Sequence, residues 1–475
     1  MPRSQFVLPL FVLACWLSAV ARPAQASLDP WREDQDTVTG PFTATQDAAN
    51  CDLGKIRKPL ALTDVVDLAL CNNPQTRVLW ASARAQAATV GVNMAAYLPT
   101  LSAQGTAARD HNVLVGNFTS NSNTETVGLS AGYLLYDFGG RSASLQNAKQ
   151  LLIAANATRD ATLQANFLAA VQAYYALLSA RASVVAAQAA EVSAREALSA
   201  AQARYQAGVA TPADKLQAQT ALSQATLNLV TARGSERTAQ GTLANVMGFD
   251  ASQPYDLAPF PETTPDPAVE QDIGKLITEA RQKRPDLAAA DAQIKAAEAQ
   301  LEATRSTGMP SVNLNASASD TRSSGTPGTS SGSLGVTLSV PLFTGFLNTY
   351  QSRVAEQQLE GKVASRDLLA NQVALDVWKA YQALLTNSQA LRSADDLVAS
   401  AIASEEMTLG RYKAGITGLS ILDVLNAQSA LASARQQRVA ALYNFLASRM
   451  ALAQAIGVLD LTQLDERLTQ TDKGK

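Results

Sequence analysis

One histidine and three cysteines bound the chemistry open to this 475-residue chain. His111 lies in a polar, loop-like stretch with no second imidazole to share a metal or a proton, and reads as a surface residue. Cys15 falls inside an apolar N-terminal run, which leaves Cys51 and Cys71 as a pair. In an oxidising compartment two such thiols are expected to join as a disulfide; without nearby histidine they would make a poor metal site. Closing a loop of about 20 residues, that bridge would contribute about 3 kcal/mol by loop entropy. No phosphate-binding loop, metal spacing or nucleophile with its base occurs, so no enzyme, cofactor or metal is expected. The sharpest remaining signals are Thr211-Pro212-Ala213-Asp214 and Ser420-Ile421-Leu422-Asp423, each a hydroxyl three residues ahead of a carboxylate. Both are capping boxes that open a helix, the first with proline at the first helical position. Gly208 and Gly415 lie a few residues upstream, where a helix ends in a left-handed residue. Each pair of signals therefore marks a tight helix-to-helix turn.

The helix that reaches the first turn dominates the sequence. Residues 141–207 contain neither Gly nor Pro and are rich in Ala, Gln, Leu and Arg. A single helix of that length is about 100 Å long. Its apolar positions Leu163, Phe167, Ala170, Tyr174, Leu177 and Val184 follow a coiled-coil rhythm, interrupted by Arg181. No run of about 18 apolar residues occurs in it, so a water-soluble packed helix is expected rather than a membrane span.

The same object recurs. Tyr174, Leu177 and Val184 match Tyr381, Leu384 and Leu391, and Tyr205-Gln206-Ala207-Gly208 matches Tyr412-Lys413-Ala414-Gly415, at an offset of 207. Asn73-Pro74 and Tyr97-Leu98-Pro99 match Arg284-Pro285 and Gly308-Met309-Pro310 at 211. Gln217-Ala218-Gln219 matches Asn426-Ala427-Gln428, and Met247-Gly248 matches Ile456-Gly457, at 209. Small, ordered changes of offset are the mark of a duplicated module with loop insertions.

Residues 1–26 read as an export signal, with Arg3, an apolar run and Ala24-Gln25-Ala26 as the cleavage site. A lipoprotein cysteine at Cys15 is the rival, opposed by Trp16 and Leu17, which continue the apolar run. Cleavage removes Arg3 and Arg22 and takes the formal charge from −3 to −5, which argues against a nucleic-acid partner. Residues 27–59 read as a strap or loose arm, 60–249 as the first repeat, 250–271 as a Pro-rich acidic linker, 272–457 as the second repeat and 458–475 as a polar tail. Within the first repeat a helix is expected over about 63–97, stopped by Pro99.

After each of these opening helices the period changes to two. Strand pairs are expected at about 100–136 and 310–343, with polar loops at 117–124 and 323–332. Val127, Leu129, Ala131, Tyr133 and Leu135 alternate with small or polar residues, as do Leu334, Val336, Leu338, Val340 and Leu342. Strands of about ten such residues suit an outer membrane, apolar face to lipid; a soluble sheet with one wet face has the same pattern. Four strands cannot close a barrel, and an open edge is intolerable in lipid. Spanning strands would have to be pooled with those of other copies.

The whole order, helix, strand pair, long helix, R-Y-x-x-G turn and returning helix, all twice, resembles the TolC family of outer-membrane exit ducts. The residues that carry the likeness are Asn73-Pro74, Leu98-Pro99, 136–141, Arg204-Tyr205-Gln206-Ala207-Gly208, Arg411-Tyr412-Lys413-Ala414-Gly415 and Leu422-Asp423-Val424-Leu425-Asn426-Ala427. The resemblance implies a mainly α fold with a β-barrel contribution, a trimeric α/β tube. It implies a homotrimer with a twelve-stranded barrel in outer-membrane lipid and a helical tube across the periplasm. An inner-membrane transporter, ATP- or proton-driven, and a periplasmic adaptor would open its tips. It further implies acidic rings at the closed entrance. Asp423 matches the first acidic position, the second is Asn426, and the arginine that ties better-known tips shut falls on Thr417 or Leu419, neither basic. A weaker acidic ring and a different latch are expected, with Asp214 and Asp423 each also explained by capping alone. The missing lipobox leans towards type I secretion of a protein, an RTX toxin such as an adenylate cyclase–haemolysin in the most specific form. A small-molecule or metal efflux duct is the alternative, and a purely structural coiled-coil surface protein the remote one.

Overall fold

The computed structural model describes residues 59–114, 118–258, 272–414 and 420–459. Helices α1 (Leu62–Cys71) and α2 (Pro74–Ala95) lead to strands β1 (Thr100–Leu114) and β2 (Phe118–Tyr136), then to α3 (Gly140–Gln206) and α4 (Pro212–Val246). The second copy follows in the same order: α5 (Ile273–Lys283), α6 (Pro285–Ser306), β3 (Ser311–Ser323), β4 (Thr326–Ser339), α7 (Leu347–Lys413) and α8 (Ile421–Ile456). The four strands form one antiparallel sheet in the order β1-β2-β3-β4.

Three expectations need correction. The opening helix is two helices, because Asn73 caps α2 by accepting from the Gln75 N–H and Pro74 removes the donor that would continue α1. The described parts of the expected polar loops belong to the strands: Ser323 pairs with Thr326 across a two-residue turn at Ser324-Gly325, and β1 and β2 pair out to Leu114 and Phe118. Polar side chains there reflect strands that outrun the apolar band. Two helices, α3 and α8, hold an 18-residue window with mean hydropathy 1.3 and 1.2, enough by length and composition to cross a membrane. Alanine raises that mean without a continuous run of large apolar residues, and both helices pack against several others.

The coiled-coil seam read from the sequence is the core. Leu163, Phe167, Ala170, Tyr174 and Leu177 of α3 are buried with Val373, Val377, Tyr381, Leu384 and Leu391 of α7 in one cluster. Val65 and Leu70 of α1, Leu243 of α4, and Phe445 and Ile456 of α8 complete it. Each such side chain contributes about 1.5–3 kcal/mol on burial. Above this waist α2 and α6 run beside the long helices, Ala87 and Val90 packing on Ala148 and Leu152. Below it α4 and α8 return along α3 and α7 from the tips.

The motifs that marked the duplication meet in space. Asn72 donates to the Met247 and Gly248 carbonyls at 3.1 Å, and Asn73 donates to the Val246 carbonyl at 3.1 Å, so the α1–α2 joint binds the C-terminus of α4. In the second copy Arg284 lies at the C-terminus of α8, its Nη1 3.5 Å from the Ala455 carbonyl and 3.3 Å from Asp376. A cation there also complements the helix dipole. Cys71, the last residue of α1, is disulfide-bonded, and Cys51 lies outside the described residues.

Gly248 closes the first joint at φ +79°, where a Cβ would sit 2.7 Å from the Asn72 carbonyl oxygen. Gly248→Ala is expected to destabilise by at least the 1–2 kcal/mol of a left-handed non-glycine residue, with the backbone clash added. Gly234→Ala, where a Cβ meets nothing within 4 Å, is expected to be neutral or stabilising by up to about 1 kcal/mol. Thermal unfolding of the two variants checks the contrast.

Candidate functional site: the sheet faces and the hairpin tips

Register decides what each face of the sheet presents. Directly opposed residues of an antiparallel sheet share a face. One row across all four strands reads Leu101, Ala131, Ala316, Leu334, and the neighbouring row Tyr133, Leu314, Val336. On the other face one row reads Ser102, Ser130, Ser317, Ser333, and another Thr106, Thr126, Thr321, Thr329. Their hydroxyls bond across the strands: Ser102 to Ser130 at 2.6 Å, Ser317 to Ser333 at 2.8 Å, Ser319 to Ser331 at 2.9 Å and Thr126 to Thr321 at 3.2 Å. The apolar face is bare in the single chain, with Leu334, Val336 and Leu338 each more than three-fifths exposed. Val127 to Leu135 covers nine residues, the span of a tilted membrane strand.

Both copies leave the sheet through the same contorted turn. Phe138-Gly139 and Gly345-Phe346 are pairs of left-handed residues, with the two phenylalanines at φ 53° and 64°. A non-glycine residue pays for that backbone in strain, and here it aims an exposed ring outward. Tyr136 stacks edge-on with Phe138 at 4.9 Å, and Phe343 with Phe346 at 5.6 Å. Exposed aromatics at the foot of an apolar band form the girdle of a membrane interface. Sequence reading missed the girdle, although the aromatic pair flanking glycine in both copies was its signal.

At the far end, α3 stops at Gly208, φ +77°, whose N–H is donated to the Tyr205 carbonyl, while the Val209 N–H is donated to Arg204. Thr211 caps α4: its N–H donates to Asp214 Oδ2 at 2.8 Å, and the Asp214 N–H donates to Thr211 Oγ1 at 3.3 Å. Ser420 donates from its N–H and its hydroxyl to Asp423 Oδ2, at 2.8 and 3.1 Å. Asp423 and Asn426 are exposed on one face of α8, three residues apart, and Asp214 is half-buried. Gly415, Thr417 and Leu419 lie outside the described residues.

The residue that joins the two tips is one the sequence reading used only as a repeat marker. Arg204 Nη1 donates to the Tyr412 carbonyl at 2.8 Å, and its guanidinium carbon lies 4.6 Å from the centre of the Tyr412 ring. Tyr412 is 3% exposed, among Ala197, Leu198, Ala201, Ile421 and Val424. Burial pushes its phenol above the ordinary range; Arg204 opposes the shift and Asp214 adds to it. Gln428 Nε2 donates to the Ser193 carbonyl at 3.2 Å and so ties α8 to α3 just above the tip. Among the described residues no group of three or more His, Cys, Asp or Glu is placed to hold a metal.

Comparison with known proteins matches the two copies separately to one family model, described as outer membrane efflux protein, over residues 65–249 and 276–458. Protein CyaE of Bordetella pertussis is 32% identical over 426 residues, 86% of each chain. The alkaline protease secretion protein AprF of Pseudomonas aeruginosa is 26% identical over 420 residues, again 86% of each chain. The solved outer-membrane channel OprN superposes with a TM-score of 0.75 at 21% identity, over 84% of this chain and 90% of that one, and shares its fold.

Two substitutions test the faces. Val336→Lys, on the apolar face, is expected to cost about 2–4 kcal/mol near the membrane midplane, and Thr337→Lys, on the hydroxyl face, much less. Outer-membrane yield and heat stability read the difference; a worse Thr337→Lys inverts the faces. At the tip, Asp423→Asn is expected to relieve block of the channel by trivalent cations, and Asp214→Asn to leave block unchanged. Equal block in wild type and Asp423→Asn would reduce Asp423 to its cap, with a stability loss of about 0.5–2 kcal/mol.

Proposed function

This chain belongs to the outer membrane efflux protein family, and from that premise of an outer-membrane channel we propose that three copies close one twelve-stranded barrel and continue it as a helical tube into the periplasm. The observation that carries the reading is the sheet itself. It has four strands, a bare apolar face, a face of paired hydroxyls, and two edges, β1 and β4, with no partner in the described chain. Four strands are half of what the smallest barrel needs, so copies must supply the rest.

The duct performs no chemistry. Its cargo is driven by an inner-membrane transporter, through an adaptor that docks on the tips formed by 206–212 and 413–421. We assign it to export of a protein, by type I secretion. The supports are the relative named for protease secretion, the 32% identity to CyaE, and an N-terminus without a convincing lipid-acceptor cysteine. The family description favours small-molecule efflux as the second reading. Deleting the gene separates them. Loss of one protein from the culture medium, with unchanged tolerance of toxic small compounds, supports secretion; the opposite pattern supports efflux.

The duplication also predicts how copies pair. β1 corresponds to β3 at an offset of 211 and β2 to β4 at 207, and the hairpin registers agree: Thr100 faces Gly132 as Ser311 faces Ser339. Carrying the β2–β3 register, where Leu129 faces Ala318, through those offsets sets Val336 opposite Ala107 of the next copy. Leu338 then faces Gly105, apolar face matching apolar face. The double variant Val336→Cys, Ala107→Cys is expected to oxidise to a covalent trimer, ahead of Val336→Cys paired with Gly105→Cys or Arg109→Cys. The purified trimer is expected to conduct ions in a planar bilayer.

A further inference from the structure

The hydrogen bonds that tie the two tips within a chain use residues present twice. Arg204 reaches Tyr412, and Gln428 reaches the Ser193 carbonyl. The repeat offsets, 207 along the long helices and 209 along the returning ones, convert these four positions into Arg411, Tyr205, Gln219 and Ser400. All four keep their residue type. The first set is engaged inside the chain. The second set is exposed: Tyr205 is 41% accessible, and Arg411, Gln219 and Ser400 are all at the surface.

A closed ring of duplicated modules has two kinds of seam, one between the repeats of a chain and one between neighbouring chains. In β2–β3 and its predicted counterpart β4–β1 these seams correspond residue for residue. We propose that the tips are clasped between chains as well as within them, Arg411 and Ser400 of one copy binding Tyr205 and Gln219 of the next. Arg411 donates to the Tyr205 carbonyl and covers its ring, and Gln219 donates to the Ser400 carbonyl. This inference rests on the trimeric reading.

The two clasps differ in what surrounds them. Beside the inner one, Leu198 and Val424 are buried in an apolar cluster. Their counterparts are Glu405 and Lys215, both half-buried, with the Lys215 ammonium 5.9 Å from the Tyr205 ring. Opposite charges therefore meet at the outer seam where leucine and valine meet at the inner one. An exposed ion pair is held weakly and weakened further by salt, whereas an apolar contact is not. The tips therefore part between chains and stay joined within them.

The test uses the full chain in membranes with a short bifunctional thiol reagent. Ser400→Cys with Gln219→Cys is expected to give a covalent trimer, and Ser193→Cys with Gln428→Cys only an intrachain bridge that leaves the mass unchanged. The strand pair Val336→Cys, Ala107→Cys serves as control. A trimer from the strand pair with none from the tip pair overturns the clasp and leaves the trimer intact. Failure of both overturns the two readings together. Raising salt is expected to slow the tip reaction between chains and to leave the intrachain bridge unaffected; equal sensitivity contradicts the charged seam. Arg411→Ala is expected to raise conductance of the closed channel, with Arg411→Lys restoring part of the closure, and an unchanged conductance in Arg411→Ala removes Arg411 from the clasp.

Discussion

A β-sheet that faces lipid cannot end in lipid. Each edge strand leaves a row of N–H and C=O groups, and hydrocarbon offers nothing to pair with them. β1 and β4 are such edges, on a sheet whose apolar face carries Leu334, Val336 and Leu338 uncovered. The assembly, the direction of the pore and the placing of the long helices all follow from removing those edges. Once neighbours close the ring, the Ser and Thr rows turn inward, where water satisfies what the cross-strand hydroxyl bonds do not. Phe138 and Phe346 mark where the barrel ends and the helices begin.

The helical part obeys a different economy. α3 and α7 carry little that is large outside the waist, and long stretches are held by Ala against Ala, as at Ala197, Ala201 and Ala218. Small side chains let helices approach closely and curve without cavities, at the cost of modest burial per residue. Stability is therefore concentrated at the waist, where the Asn72–Asn73 and Arg284 joints pin the ends of α4 and α8. The tips, far from that anchor, hang on a few named bonds.

Much of this was legible in the sequence because periodicity and punctuation are local. The span of α3, both capping boxes, the apolar seam through Phe167 and Tyr174 and the alternation in β4 follow from residue order alone. The break at Pro74 was visible but was spent on the repeat alignment. The hairpin ends were misread because serine and threonine at 326–333 look like loop when read for polarity, and like strand only when their partners at 317–323 are known. The clasp of Arg204 on Tyr412 was not legible at all, since it joins residues 208 apart in the chain. A repeated Arg-Tyr pair announces importance without saying what it touches.

α3 and α7 are each 67 residues long. In a ring that alternates them, every tip must reach one plane, and a turn of helix is about 5.4 Å. A deletion confined to one repeat would leave three tips short and three long, a staggered mouth that no adaptor of regular shape could seal. Evolution can therefore lengthen or shorten this duct only by changing both repeats in step. The equality of the two helices is a record of that constraint, and it makes the chain a ruler fixed to the depth of its compartment.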